Sequence, residues 1–137
     1  MTTLLLDASA ILAAFDPEDD CHAPASALLT APDFTLTTID LVRYEVANVA
    51  IRAWRAPATV APLLDAVDRI AEDGGVIEAK APLIARAADL ADRHGISVYD
   101  AAYVAAAREA ERVLVSCDAR DLVSKDLASL PEDALDS

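Results

Sequence analysis

Apolar positions along this chain follow two rhythms, and the changes between them mark the elements. Residues 3–7 hold the run Leu4-Leu5-Leu6 closed by a carboxylate, which reads as a short buried strand. Residues 8–15 are rich in alanine and leucine and read as a helix, broken at Asp16-Pro17-Glu18 and followed by a second helix over 20–29. A turn at Ala31-Pro32-Asp33 leads into residues 34–38, whose β-branched content predicts a strand. Residues 40–54 place Leu41, Val42, Val46, Val49 and Ile51 near helical period, and Pro57 and Pro62 mark the start of a helix reaching about Glu72. Gly74-Gly75 is a turn before a brief strand at 76–78. Pro82 opens a helix to Arg93 that Gly95 terminates. An alanine-rich helix over 99–111, an apolar strand over 113–116 and a loosely ordered acidic tail over about 126–137 complete the chain.

Short strands alternating with helices predict one α/β domain over residues 1–137, with a central parallel sheet of four to five strands flanked by helices. Open parallel sheets bind ligands beyond the carboxyl ends of their strands. Asp7 and Asp118 both follow a predicted strand. At 137 residues, 55% hydrophobic and 26% charged, the composition is that of a globular domain with a core. No apolar stretch nears the roughly 18–20 residues of a membrane span, and Asp7 interrupts the apolar start with no preceding Lys or Arg, against a secretory signal. Cys21 and Cys117 show no spacing of a disulfide framework or zinc knuckle, which points to the reducing cytoplasm.

Charge changes the picture. Eleven Lys and Arg against 24 Asp and Glu give a formal net charge of −13, the wrong sign for a protein that grips phosphates with its own surface. Four carboxylates also interrupt apolar surroundings: Asp7 after the leucine run, Glu45 between Leu41 and Val49, Asp100 before an alanine run, and Asp118 after Val113-Leu114-Val115-Ser116-Cys117. Each has an ordinary explanation. Asp7 can cap the next helix, Glu45 can pair with Arg43 or Arg52, Asp100 stands three residues after Ser97 as in a capping box, and Asp118 and Asp121 suit a turn. Together, gathered at one end of a sheet, they are better explained by a hard cation, because isolated buried carboxylates are costly unless paired, protonated or metal-bound. Mg²⁺ or Mn²⁺, with their preference for oxygen, would reverse the local sign of the potential.

The segments LLLDASAIL (4–12), YEVANV (44–49), HGISVYDAAYVAAA (94–107) and LVSCDARDL (114–122) resemble, in order, the four acidic motifs of PIN-domain ribonucleases, above all toxins of the VapC type. The third segment is the most specific, with Tyr-Asp-Ala followed by a small-residue helix. The resemblance implies that Asp7, Glu45, Asp100 and Asp118 are catalytic metal ligands, with Asp121 as an additional or substitute acid. It implies that Ser9 supports the site through a hydrogen bond and that Asn48 lies one helical turn past the glutamate. It further implies one or two Mg²⁺ or Mn²⁺ ions, hydrolysis of RNA, a homodimer, and a cognate antitoxin that inserts a basic, arginine-bearing segment into the acidic groove. Arg43, Arg52, Arg55 and Arg108 are then candidates for phosphate contact or dimer salt bridges.

Other chemistries fit less well. An aspartyl phosphatase needs a second Asp two residues after the first, where Ser9 stands. Three glycines, Gly74, Gly75 and Gly95, make no phosphate loop. Cys21-His22, His94 and Cys117 lack zinc-ligand spacing, so His22 and His94 read as surface and helix-end residues. The rival from another class is a catalytically idle interaction module whose acidic pocket binds a basic partner protein.

Overall fold

The computed structural model describes residues 2–136. In chain order the elements are β1 (Thr2–Leu6), α1 (Ala8–Ala14), α2 (His22–Thr30), β2 (Phe34–Ile39), α3 (Val42–Arg52), α4 (Val60–Asp73), β3 (Val76–Ile77), α5 (Ala81–His94), α6 (Val98–Glu109), β4 (Val113–Val115) and α7 (Pro131–Asp136). Single 3-10 turns lie at Pro57–Thr59 and Val123–Lys125. The sheet is parallel throughout, in the order β3-β2-β1-β4. The α/β architecture read from the hydrophobic pattern is therefore the observed one.

The chain builds outward from β1 through β2 to β3, then returns across the sheet to add β4 on the other side of β1. The side on which strands are added switches between β1 and β4, which remain parallel, and this opens a crevice beyond their carboxyl ends. Leu4, Leu5 and Leu6 pair with Val113, Leu114 and Val115, so Asp7 and Ser116 emerge side by side at that crevice. The Asp7 N–H extends the ladder by one bond, to the Val115 carbonyl at 3.1 Å.

Leu4, Leu5 and Leu6 are fully buried, as expected for a strand covered on both faces. The alanines of α6 explain how it sits at the centre. Residues Ala101–Ala107 are all buried, and small side chains let α6 approach α5 and the sheet closely. Gly95 ends α5 in the left-handed region at φ 65°. Gly74 ends α4 where an added Cβ would run into the Leu36 carbonyl, while Asp73 Oδ2 accepts the Leu36 N–H at 2.8 Å.

Two expectations are corrected. The tail is ordered: Pro131–Asp136 is a helix packed on α2, with Pro131 and Ala134 buried, and Ser129 forms a parallel bridge to Val115 that reduces the fifth strand to one residue. Its acidity at Glu132, Asp133 and Asp136 masked an amphipathic spacing of Pro131, Ala134 and Leu135. Ser137, the last residue of that expected tail, lies outside the described residues. Secondly, Cys21 and Cys117 form a disulfide across 96 residues, with Cα atoms 6.2 Å apart. Spacing gave no hint of it because topology creates the proximity: β4 pairs beside β1, which brings the loop after β4 near the α1–α2 connection that follows β1.

Candidate active site

The strand-to-helix turn at Asp7 fixes the first wall of the crevice. Asp7 is the N-cap of α1 and 4% exposed, and its Oδ1 accepts the Ala10 N–H at 3.0 Å and the Ser9 hydroxyl at 2.7 Å. Its Oδ2 accepts the Ser116 hydroxyl at 2.5 Å. Ser9 Oγ in turn accepts the Cys117 N–H at 2.8 Å, and Ser116 Oγ accepts the Asp118 N–H at 3.0 Å. Each hydroxyl has one hydrogen, and both point it at Asp7, so the 3.1 Å approach between Ser9 Oγ and Ser116 Oγ is a contact of two acceptors. Two serines thereby clamp β1 to the loop after β4 through one carboxylate. Burial pushes the Asp7 carboxyl up to about 6, against the lowering pull of Ser116, Ser9 and Ala10, and the charge of Asp100 adds to the rise.

The second wall comes from α6 and the loop after β4. Ser97 caps α6 by accepting the Asp100 N–H at 3.0 Å, which places Asp100 in the first turn of that helix. Asp118 Oδ1 accepts the Asp121 N–H at 2.9 Å, folding residues 118–121 into a turn with both carboxylates on one side. The result is a cluster in which oxygens of Asp100, Asp118 and Asp121 all lie within 4.8 Å of one another, each residue half-buried. Burial raises the Asp100 pKa first and the charge of Asp118 next, with Ser97 opposing and Asp121 adding.

Glu45 reaches the crevice from α3. Its Oε1 accepts the hydroxyl of Tyr103 on α6 at 2.5 Å, and burial raises its pKa against that bond, with the charge of Asp100 adding. Neither arginine expected as its partner pairs with it, since Arg43 lies 3.6 Å from Asp68 on α4. Burial and then the Glu45 carboxylate push the Tyr103 phenol up, so it remains a hydrogen donor.

One cleft of about 240 Å³ is lined by Asp7, Ser9, Glu45, Asn48, Asp100, Tyr103 and Asp118, with Leu12 and Val49 as its apolar sides. All the carboxylates singled out in the sequence thus border one cleft or its edge. The tight cluster pairs Asp100 with both Asp118 and Asp121, whereas Asp7 and Glu45 stand at the cleft outside that triad. The ordinary roles hold at the same time: Asp7 caps α1 and Asp118 closes a turn. Sequence reasoning missed Ser116 and Tyr103. A hydroxyl closing an apolar strand was the available signal for Ser116. Nothing in the sequence links Tyr103 to Glu45, 58 residues away.

The donor set suits a small hard cation. Octahedral Mg²⁺ bonds of roughly 2.0–2.1 Å put neighbouring ligand oxygens about 2.9 Å apart and opposite ones about 4.2 Å apart. Small side-chain rotations bring three oxygens within 4.8 Å of one another into that range. The pKa values of Asp7, Glu45 and Asp100 are raised first by burial, with neighbouring carboxylate charge adding, and a cation in the cleft would favour the charged forms against both.

Comparison with known proteins follows the same lines. The PIN domain family matches residues 4–126. The chain is 34% identical over 128 residues to Ribonuclease VapC3 of Pyrobaculum aerophilum, covering 89% of this chain and 93% of that protein. Among solved structures it superposes on Mycobacterium tuberculosis VapC20, described as a sarcin-ricin loop cleaving toxin. The TM-score is 0.68 at 20% identity, over 85% of this chain and 91% of that one. A toxin-antitoxin complex from Klebsiella pneumoniae gives a TM-score of 0.62 at 15% identity, over 93% and 97% of the two chains. At these identities the superpositions speak to the fold. The length of the family match and the 34% relative go further: this chain belongs to the PIN-domain family, among proteins of the VapC ribonuclease type.

Proposed function

We propose that the chain is a divalent-metal-dependent endoribonuclease that hydrolyses RNA phosphodiester bonds in the cytoplasm, and that it is the toxin of a toxin–antitoxin pair. The observation that carries this reading is the convergence of Asp100, Asp118 and Asp121 within 4.8 Å beside a cleft that also holds Asp7 and Glu45. The ribonuclease named at 34% identity supports the choice of substrate.

Asp100, Asp118 and Asp121 would hold Mg²⁺ or Mn²⁺, with Asp7 offering the lone pair its three hydrogen bonds leave open. When bound, the cation supplies Lewis acidity toward a phosphoryl oxygen and acidifies water. Glu45 keeps Oε2 clear of Tyr103 and can accept a proton from an incoming water at the cleft. Ser9 and Ser116 hold Asp7 and the Asp118 backbone in register, and Asn48 stands at the exposed rim for contact with the sugar or base. An arginine from an antitoxin would satisfy the same carboxylates and exclude the cation, which accords with the net charge of −13.

The homodimer has its own support. Tyr44, 79% exposed, and Tyr99, 63% exposed, join Ile84, Val98, Leu41 and Ala102 around an apolar groove of about 750 Å³ between α3, α5 and α6. Four of the six large exposed apolar residues among the described residues sit there, a concentration that suits burial against a second copy.

The test is cleavage of a purified RNA oligonucleotide with Mn²⁺, with EDTA, and by the Asp7→Asn and Asp100→Asn variants. Loss of cleavage in EDTA and in both variants is expected. Equal cleavage by wild type and variants would mark a contaminant and leave the idle binding module as the reading. Sequencing the 5′ ends of cellular RNA after expression of the protein alone would then identify the target.

A further inference from the structure

The disulfide is the feature that the nuclease reading leaves unused, and it lies against the cleft. Cys117 sits between Ser116, which holds Asp7, and Asp118, which belongs to the carboxylate triad. Its own N–H donates to Ser9 Oγ at 2.8 Å. The turn beyond it is held mainly by its own backbone, with the Leu122 and Val123 N–H groups donating to the Asp118 carbonyl and the Ser124 N–H to the Ala119 carbonyl, while the Asp118 N–H donates to Ser116. Ala119 and Arg120 are exposed, and the next fully buried side chain is Leu122. The other end of the bridge is firm: the Cys21 N–H donates to Asp19 Oδ1 at 2.8 Å, and the helix that Cys21 caps packs on α1 and α7. The covalent tie therefore fastens the loop that carries Asp118 and Asp121 to a well-packed helix. Both cysteines are half-buried and line a hollow of about 480 Å³ with Glu18, Asp19, Asp20 and Glu132, so a small reagent can reach the bond.

We propose that the Cys21–Cys117 disulfide is a redox site that sets the cation affinity of the acidic cleft, and that its reductant is a small uncharged dithiol. A thiolate of the dithiol attacks one sulfur of the bridge, breaking the S–S bond and forming a mixed disulfide, while the other cysteine leaves and takes a proton. The second thiol of the reagent attacks the mixed disulfide, releases the remaining cysteine as a thiol and leaves the reagent oxidised to a disulfide. The four carboxylates of the hollow repel a reagent that carries carboxylates of its own, which favours a dithiol with no charge beyond its attacking thiolate. With the bridge open, Asp118 and Asp121 keep their turn and the loop keeps its bonds to Ser9 and Ser116, but the covalent anchorage to α2 is lost. The third side of the triad, Asp100 on α6, stays in place, so the cluster widens. Linkage makes the effect reciprocal: a cation that prefers the bridged form makes the bridge harder to reduce by the same factor.

The inference rests on the triad's being a cation site, and the experiment separates the two. Mn²⁺ binding is measured by calorimetry on the oxidised protein, on protein reduced with dithiothreitol and freed of reagent, and on Cys21→Ala, with circular dichroism as a check of folding. The oxidised protein is expected to bind Mn²⁺ at least tenfold more tightly than the reduced one, with Cys21→Ala matching the reduced form. If Cys21→Ala fails to fold, the reciprocal measurement replaces it. Saturating Mn²⁺ should then lower the bridge's reduction potential by about 30 mV for each tenfold difference in affinity, read by thiol alkylation across a dithiothreitol redox series. Equal Mn²⁺ affinity in oxidised and reduced protein would overturn the redox site and leave the cation site standing. No Mn²⁺ binding in either form at millimolar concentration would overturn both. Alkylation of both cysteines in protein purified and air-oxidised without reductant would overturn the redox site alone.

Discussion

The two walls of the cleft reach the same charge by different means. On the β1 side, Asp7 is buried, accepts three hydrogen bonds and is fixed by a helix cap and two serines. On the α6 and β4-loop side, Asp100, Asp118 and Asp121 are half-buried and positioned by caps and turns, with one exposed side-chain donor, Arg120 Nε, at 3.4 Å from Asp121 Oδ1. A carboxylate with three of its roughly four acceptor positions filled is well placed and keeps one for a ligand. A carboxylate that accepts a single hydrogen bond, as Asp118 and Asp121 do, keeps most of its acceptor positions free. The first wall is built to hold geometry and the second to exchange ligands, and substitutions should separate the two.

Asp118→Asn is expected to have the largest effect. Removing an outer partner of a metal ligand already costs about 10–100-fold in affinity, so loss of a ligand should exceed about 100-fold for Mn²⁺. The metal-free melting temperature should stay within a few degrees, because an asparagine oxygen can still accept the Asp121 N–H. Calorimetry and melting in EDTA measure the two sides. A large fall in stability with unchanged Mn²⁺ affinity would reverse the assignment of the walls.

Acidity gives the next contrast. The Asp7 carboxyl titrates near 6 in the folded protein against an ordinary 3.8. Between about pH 4 and pH 6 the folded state keeps a proton that the unfolded chain has lost, so metal-free stability falls as pH rises through that window. Glu45 and Asp100 shift in the same direction. Melting in EDTA should therefore show the protein about 2–3 kcal/mol more stable near pH 4.5 than at pH 7. Mn²⁺ should stabilise it more at pH 7 than at pH 5, since ligands must be deprotonated to bind. A melting temperature in EDTA that climbs from pH 4.5 to pH 7 would contradict the burial-raised Asp7 carboxyl of the first wall.

How far the sequence showed these walls depends on the range of the interaction. Asp7 as a cap, Asp100 after Ser97 and Asp118 with Asp121 are contacts between near neighbours, and the local pattern contains them. The sheet was legible because leucine and β-branched runs alternate with helical period, and its ends located the crevice. The Ser116–Asp7 bond spans 109 residues and the disulfide 96, and both arise from β4 crossing back beside β1, a topology no local pattern states. The ordered tail was hidden differently. Three acidic residues dominate the composition of a six-residue helix whose few apolar contacts decide its packing.

Ser116→Ala should act on the first wall and show what the clamp contributes. The serine is fully buried, and its removal leaves Asp7 Oδ2 and the Asp118 N–H without their shared partner. Stranding buried polar groups costs about 1–3 kcal/mol, so a loss near 2 kcal/mol in metal-free stability is expected by denaturant titration. Mn²⁺ affinity should fall less than in Asp118→Asn. A variant as stable as wild type would mean that water replaces the hydroxyl at no cost and that the clamp is dispensable.

Tyr103→Phe is the finest probe, because it deletes one oxygen from a residue only 1% exposed and leaves the ring packed. The phenol donates to Glu45 Oε1, so its loss frees the glutamate to rotate and removes the one hydrogen bond that favours its charged form. A hydrogen bond to a charged group is worth about 1.5–3 kcal/mol, but half-buried Glu45 can recover part of that from water, so the stability cost should be about 1 kcal/mol. The catalytic signature is more telling than the stability change. If Glu45 receives the proton from water, kcat should drop several-fold with KM for RNA unchanged, because the residue acts on the reacting water and not on substrate binding. A rise in KM at constant kcat would move Tyr103 and Glu45 from the reaction to the binding of RNA, and would place them with Asn48 at the rim of the cleft.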